Sequence, residues 1–265
     1  MFPLLLLLAL PAAAADLSIH EIVDRANKAL RGDSSHGRLE MTIVTPSWTR
    51  TVEVEGWNYG RQFAHIIIHA PPKDKDNATL RRKNEMWLWM QRVERVIKIP
   101  PTMMHSSWQG SDFTYEDIVK ADSIVKDYDH KVLETKEETL TAQEAADLGL
   151  KETRRTVYKL EGLPRPDAPV VWGKVIFWCA VYPGPDPDVV PIKEEDYSER
   201  GELIRTITLS KVKRVGGRVV PTRLECQPAR KPGQKTILNY KELEFDIPLK
   251  ESYFSLSRLQ KSLSK

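Results

Sequence analysis

Two sets of residues in this sequence have the side chains that metal binding or hydrolysis requires. His65 and His69 are four residues apart, and on a helix this spacing would let both imidazoles bind one metal ion. The surrounding residues read FAHIIIHA, and such a β-branched and aromatic run predicts a strand. On a strand the two histidines share a face but stand about 13 Å apart, at ~3.3 Å per residue. We therefore expect no metal site here.

The second set contains the residue types of a hydrolase triad, namely His105, Ser106, Ser107 and Asp112. A triad is defined by geometry, and neither serine lies in the G-x-S-x-G turn that exposes a nucleophile. Serines in loops are usually turn or capping groups, and Asp112 is expected to tie down its loop or cap the following helix. We expect no catalytic residues. An esterase-like enzyme is the alternative, and it would need His105 within hydrogen-bond reach of a serine.

The overall charge argues against nucleic acid as a partner. The chain carries 40 lysines and arginines against 37 aspartates and glutamates, a net charge of +3. Such a balanced surface lacks the basic footprint that nucleic-acid binding requires. No glycine-rich phosphate loop follows a predicted strand. We expect no nucleic acid and no cofactor.

The N-terminal residues predict export. Residues 1–15 read MFPLLLLLALPAAAA, an apolar run too short to span a bilayer as a stable helix. The run ends in the small residues that a signal peptidase cleaves. We predict a cleaved signal peptide over 1–15 and a single mature domain over 16–265 without a transmembrane segment. Cys179 and Cys226 would then form one disulfide or remain two buried free thiols.

The mature chain begins with a helix and continues as strands. Ser18 and Glu21 form a capping box, apolar residues follow at helical spacing, and Gly32 ends a helix predicted over 18–31. From Gly37 onward, alternating apolar residues separated by turn residues predict an antiparallel meander of about 10–11 strands. Three stretches interrupt it: residues 100–122, which contain a short helix capped at Thr114; residues 183–201, interpreted as an exposed crossover; and a short terminal helix after Pro248.

One predicted strand, residues 85–91, has apolar residues on both faces, so it needs an apolar cover on each side. It belongs to a larger apolar set without catalytic companions. These side chains either fill a core or line a cavity. A cavity could hold a 14-to-16-carbon chain, with a gross transfer energy of roughly 11 to 13 kcal/mol. The predicted lining or lid residues are Trp57, Met86, Trp87, Leu88, Trp89, Met90, Met103, Met104, Trp108 and Phe113.

The same region resembles the outer-membrane lipoprotein-sorting family, the LolA-like periplasmic carriers. The resemblance lies in MWLWMQRVERVIKIPP and, after a short gap, SSWQGSDFTYEDI. The residues that carry it are Trp87, Arg95, Ile99, Pro100, Pro101, Met104, Trp108, Gly110, Ser111, Asp112, Phe113 and Tyr115. It implies a mainly β protein in the periplasm: a half-open antiparallel β-barrel with an N-terminal helix and short lid helices over an apolar cavity.

The resemblance also implies a function. Proteins of this family are non-enzymatic carriers that shield the acyl chains of lipoproteins or lipids and move them toward the outer membrane. The implied partners are an inner-membrane transporter, of the RND type for this branch, and an outer-membrane acceptor. A lipid-sensing regulatory protein of the same fold is the alternative. The family latches its lid with an arginine of the sheet, for which Arg38, Arg50, Arg61 and Arg95 are candidates here.

Overall fold

The computed structural model describes residues 17–119 and 122–261. The predicted signal peptide therefore lies outside the described residues. Within them, thirteen strands form one antiparallel sheet. The strands are β1 (Ser34–Val44), β2 (Thr49–Tyr59), β3 (Phe63–Ala70), β4 (Ala78–Arg82), β5 (Glu85–Met90), β6 (Arg95–Lys98), β7 (Tyr128–Thr139), β8 (Arg154–Pro164), β9 (Lys174–Tyr182), β10 (Asp188–Tyr197), β11 (Leu203–Val215), β12 (Arg218–Pro228) and β13 (Lys235–Phe245).

The order of the strands explains how the sheet is covered. It runs β6-β5-β4-β3-β2-β1-β13-β12-β11-β10-β9-β8-β7, so almost every strand pairs with its neighbour in sequence. The two strands joined by residues 99–127, β6 and β7, lie at opposite edges. This connection must therefore cross the sheet, and it contains the stretch that we call the lid segment, residues 100–122.

The described residues also contain five α-helices. They are α1 (Ile19–Lys28), α2 (Tyr115–Val119), α3 (Ser123–Lys126), α4 (Ala142–Asp147) and α5 (Leu256–Lys261). The predicted capping box of α1 is present, with Ser18 accepting from the Glu21 amide and Glu21 accepting from the Ser18 amide. None of the helices in these residues is long and apolar enough to span a membrane.

The sheet has two faces with different covers. The inner face lies against α1 and the lid segment, and α1 buries Ile22, Val23 and Ala26 against β7, β9 and β10. The outer face lies against α5, whose Leu259 packs with the preceding Phe254 on β3 and β4. Alternation along each strand sends successive side chains to the two covers.

The predicted fold class is confirmed, with differences in detail. The structure is mainly β with an N-terminal helix, and the sheet is open, but it has thirteen strands instead of 10–11. Gly216 and Gly217 form the hairpin turn that joins β11 to β12, and both glycines have positive φ angles. The helices α3 and α4 were not predicted, and α4 begins with a capping box of Thr141 and Glu144.

The interpretation of residues 183–201 as an exposed crossover is wrong. Residues 188–197 form β10, a strand inside the sheet that pairs with β9 and β11. Val190 and Asp196 are fully buried. The run of carboxylates suggested a solvated loop, whereas Asp196 accepts a hydrogen bond from the buried Arg205 on the neighbouring strand β11. The two cysteines are buried free thiols, so the disulfide alternative does not hold.

Candidate functional site: a cavity beneath the lid segment

A cavity of about 500 Å³ lies between the inner face of the sheet, α1 and the lid segment. Its lining is mostly aliphatic and aromatic. The larger lining side chains include Val23, Leu39, Ile66, Trp108, Phe113 and Phe177. A cavity of this size is typical of small-molecule sites, which are generally apolar with a few polar groups.

The cavity exists because several inner-face positions carry almost no side chain. Gly37 of β1 is directly opposite Gly56 of β2, and both line the cavity. Ala64 of β3 and Ala26 of α1 add two further small lining residues. The sheet and its covering helix therefore enclose space that their own side chains do not fill. These small residues, placed at inner-face positions of otherwise apolar strands, are the signal that the sequence analysis missed.

The structure separates the ten predicted lining residues into four groups. Trp108 and Phe113 line the cavity. Met86, Leu88 and Met104 pack in the adjacent inner-face core, which also contains Met41 and Ile43. Trp57, Trp87 and Trp89 pack on the outer face with Phe254, while Met90 and Met103 are exposed. For all ten residues, contact with a lipid stays a prediction.

An ion pair fastens the lid segment to the sheet. Arg205 of β11 donates from both ends of its guanidinium to Asp117 of α2, at 2.7 and 2.6 Å, and its Nε donates to Asp196 at 2.6 Å. Asp117 also accepts from the Thr114 amide at 2.7 Å and so caps α2. Burial alone would raise the pKa of Asp117, but the hydrogen bonds and charge of Arg205 outweigh burial and hold that pKa below its ordinary value.

Other contacts hold the lid segment along its length. Arg81 of β4 donates to the carbonyl of Ile118 at 2.9 Å. The carboxylate of Asp112 accepts from Gln234 at 2.6 Å and from Thr236 at 2.7 Å, so Asp112 ties down its loop as predicted. The lid segment is thus bound to both halves of the sheet.

Of the four arginines considered as a latch, one touches the lid segment. Arg50 donates to the carbonyl of Gln109. Arg61 instead pairs with Asp24 of α1, and Arg38 pairs with Glu55 on the outer face. Arg95 lies exposed on the edge strand β6. Arg205, which makes the bidentate contact, was not among the candidates because its partner is 88 residues away in sequence.

Two acidic side chains of β10, Glu194 and Asp196, line the cavity side by side. Burial and the neighbouring charge of Asp196 raise the pKa of Glu194 to about 8. Asp196 accepts from Arg205 through Oδ2, whereas Oδ1 is buried and has no hydrogen-bond partner among the described residues. A proton on Glu194 would supply a donor for this oxygen, so a neutral Glu194 fits the geometry.

The side chains of the suggested triad each contact a different partner. His105 Nδ1 is 2.9 Å from Glu116, and the Ser107 hydroxyl donates to the carbonyl of Ser111. His65 and His69 both lie on β3 as predicted, where His69 bonds to Glu55. Among the described residues no group of three or more histidines, cysteines or acids is placed to hold a metal ion.

The chain matches one protein-family model, and its fold is similar to those of several solved structures. A family model described as "-like: Uncharacterized protein" matches residues 60–261, more than half of the chain. Three solved structures resemble it over 91% of its length. A DUF1329 family protein from Desulfovibrio piger is 19% identical, with 97% of its chain covered and a TM-score of 0.73.

The other two structures are named for the LolA superfamily and for outer membrane lipoprotein sorting. A LolA superfamily protein from Nitrosomonas europaea is 19% identical, with 99% of its chain covered and a TM-score of 0.69. A domain named for outer membrane lipoprotein sorting, from Vibrio parahaemolyticus, is 20% identical, with 98% covered and a TM-score of 0.68. At these identities the likeness shows the fold. No curated protein matches the chain.

Proposed function

This chain belongs to the family whose model matches residues 60–261 and has the LolA-superfamily fold, and from that premise we propose that it is a periplasmic carrier of acyl chains. It would be non-enzymatic, shielding the chain of a lipoprotein or another lipid on the way to the outer membrane. An inner-membrane transporter would load it and an outer-membrane acceptor would receive the cargo. The observation that carries the proposal is the apolar cavity of about 500 Å³ beneath a fastened lid segment.

The cavity volume fits one acyl chain. A methylene group is close in size to a water molecule, whose share of liquid volume is about 30 Å³. The cavity of about 500 Å³ therefore has room for roughly sixteen such groups. At about 0.8 kcal/mol for each buried methylene, the gross transfer energy is sufficient for binding, and the costs of ordering the chain reduce it to a reversible level.

The arrangement of charges suggests how the lid segment would open. To expose the cavity, Asp117 must separate from Arg205, and a buried arginine left alone would be costly. Arg205 keeps Asp196 as a second partner when Asp117 leaves. This lowers the cost of opening, as a carrier that both loads and releases its cargo requires. Within this proposal, Trp108 and Phe113 contact the bound chain.

Filling the cavity from within tests the proposal. Gly56 has no positive φ angle, and a Cβ there would stand 3.8 Å from its nearest neighbours, an ordinary contact. Gly56→Leu should occupy the space of about four methylenes and weaken binding of a neutral fluorescent probe, N-phenyl-1-naphthylamine, roughly 10- to 100-fold. Gly184→Leu adds the same group outside the cavity, where a Cβ is also 3.8 Å from its neighbour, and should bind as the unaltered protein does.

Two outcomes would contradict the proposal. One is equal probe binding by both variants, because the cavity would then not be the site. The other concerns the protein purified from periplasm without detergent. Neither native mass spectrometry of this protein nor lipid extraction would then detect a bound acyl species. Fractionation of cells provides a separate check, since the proposal requires the mature protein in the periplasm.

A further inference from the structure

Two polar side chains that line the cavity, Arg31 and Tyr240, form no hydrogen bond with any described residue. Arg31, just after α1, lines the cavity, and its guanidinium forms no hydrogen bond or ion pair with any described residue. Tyr240 of β13 lines the same cavity, and its hydroxyl likewise has no partner there. Burial lowers the pKa of Arg31, and the nearby Tyr240 offsets part of this effect, so the two groups are close enough to influence each other. Both present hydrogen-bond donors to the same space.

The charges around Arg31 leave an excess of positive charge at this wall. Arg81 also lines the cavity, and the charge of Arg31 adds to burial in lowering the pKa of Arg81 to about 10. Asp122 is the acid whose charge acts on Arg31. It already contacts Lys126 and lies 3.7 Å from Arg81.

Arg61 is a further positive charge that acts on Arg31, and its own acidic partner is also occupied. Asp24 of α1 is bound by Arg61 and lies 3.4 Å from Lys28. Arg31 is therefore a largely desolvated cation, and Asp122, the carboxylate that acts on it, already has other partners. A buried cation without a counter-ion is unfavourable, and an anion that reached it would gain a charge-assisted hydrogen bond.

We infer that the cavity binds a single-chain amphiphile with an anionic headgroup, a carboxylate or a phosphate, which Arg31 and the Tyr240 hydroxyl hold while the chain lies along the apolar wall. This inference rests on the proposed function and adds a polarity to it. The planar guanidinium matches either headgroup through two parallel hydrogen bonds. The ionised Asp196, which also lines the cavity, would repel the same headgroup and so favour one orientation.

Headgroup charge can be varied while the chain is held constant. The probes are palmitate, hexadecyl phosphate and the neutral hexadecanol, each used to displace N-phenyl-1-naphthylamine from the purified full-length mature protein. The unaltered protein should prefer at least one anionic probe to hexadecanol by about 10-fold or more, the range expected for a hydrogen bond to a charged group. The anionic probe that binds better identifies the headgroup as a carboxylate or a phosphate.

Variants then locate the preference. Arg31→Gln should remove it while leaving hexadecanol affinity within about 3-fold, and this retained affinity shows that the variant is folded. Tyr240→Phe should reduce the preference by a smaller factor. Arg38→Gln is the matched control, because Arg38 lies on the outer face against Glu55, and the preference should be unchanged.

The outcomes separate the two levels of the argument. Equal affinity for all three probes, or a preference that survives Arg31→Gln, overturns the inference and leaves the carrier proposal standing. If no probe displaces the dye and Gly56→Leu has no effect, the carrier proposal itself fails, and the headgroup site fails with it.

Discussion

Arg205 and Asp117 form the one bidentate ion pair between the lid segment and the sheet among the described residues, with oxygen–nitrogen distances of 2.7 and 2.6 Å. Arg205 is 5% exposed, so water screens this pair little. The pair joins α2 to β11, two elements that are far apart in sequence.

Breaking this pair should loosen the lid segment. Asp117→Asn keeps a side-chain oxygen that can accept from the Thr114 amide at the start of α2, but it removes the charge that Arg205 requires. We expect the free energy of unfolding to fall by about 1–3 kcal/mol. Hydrogen exchange in residues 100–119 should become faster. Urea unfolding and exchange mass spectrometry measure the two effects.

The exposed pair of Arg165 and Asp129 provides the control for this prediction. Its nitrogen–oxygen distance is 3.0 Å, but the aspartate side chain is 71% exposed. Asp129→Asn should change stability by less than about 1 kcal/mol and leave exchange in the lid segment unaltered. Similar effects of the two variants would show that burial of the Arg205 pair does not matter.

The raised pKa of Glu194 predicts a pH dependence of stability. The folded protein keeps this proton up to about pH 8, whereas an unfolded chain releases it near the ordinary pKa of 4.5. Between these values the folded state binds more protons, so the free energy of unfolding falls as pH rises, by up to about 1.4 kcal/mol per pH unit. Glu194→Gln cannot ionise and should therefore show a smaller fall between about pH 5 and pH 8.

Glu195→Gln is the control for the pH series. Glu195 follows directly in β10, but its hydrogen bonds with Lys193 and Tyr197 outweigh burial and lower its pKa, so it is ionised throughout this window. Its variant should keep the slope of the unaltered protein. His65, whose pKa is lowered by burial to about 4, acts in the opposite direction but is present in all three proteins. Parallel urea-unfolding curves for Glu194→Gln and Glu195→Gln across the pH series would refute the assignment.

Two half-buried aromatic residues on opposite faces should differ in their effect on chain binding. Phe113 lines the cavity, whereas Trp87 packs on the outer face. Phe113→Ala should weaken binding of the neutral probe by about 10-fold, because a large apolar contact is lost. Trp87→Ala should instead lower the free energy of unfolding with little change in probe affinity. A larger binding loss for Trp87→Ala would move the site to the outer face.

The two cysteines should be unreactive until the protein unfolds. Burial raises the pKa of Cys226 to about 12 and that of Cys179 further, so neither forms the reactive thiolate near neutral pH. Both thiols should react slowly with a disulfide reagent in the native state and quickly in denaturant. An intact mass lower by two hydrogen atoms under non-reducing conditions would show that they are bridged instead.

Sequence patterns predicted the repeating parts of this fold well. Alternation gave most strands within a few residues, and the capping box placed the start of α1 correctly. These features depend on neighbours within a few positions, which the sequence shows directly. The ion pairs of Arg205 and the role of β10 depend on partners roughly ten and ninety residues away, so their carboxylates could be taken for a solvated loop.

The candidate site was predictable only in part. The Trp- and Met-rich strand suggested an apolar surface larger than a core needs, and Trp108 and Phe113 do line a cavity. The outer-face packing of Trp57, Trp87 and Trp89 under the C-terminal residues was not foreseen, because both faces of β5 found cover from the chain itself. The absence of side chains at Gly37 and Gly56 matters more to the cavity than the large residues do.

The route of residues 99–127 has a mechanical consequence. Because this connection runs from one margin of the sheet to the other, it acts as a tether between the outermost strands β6 and β7. Detaching the middle of the tether would slacken its hold on both margins at once. A single movement of this connection would then expose the cavity and let the sheet flatten around a larger ligand.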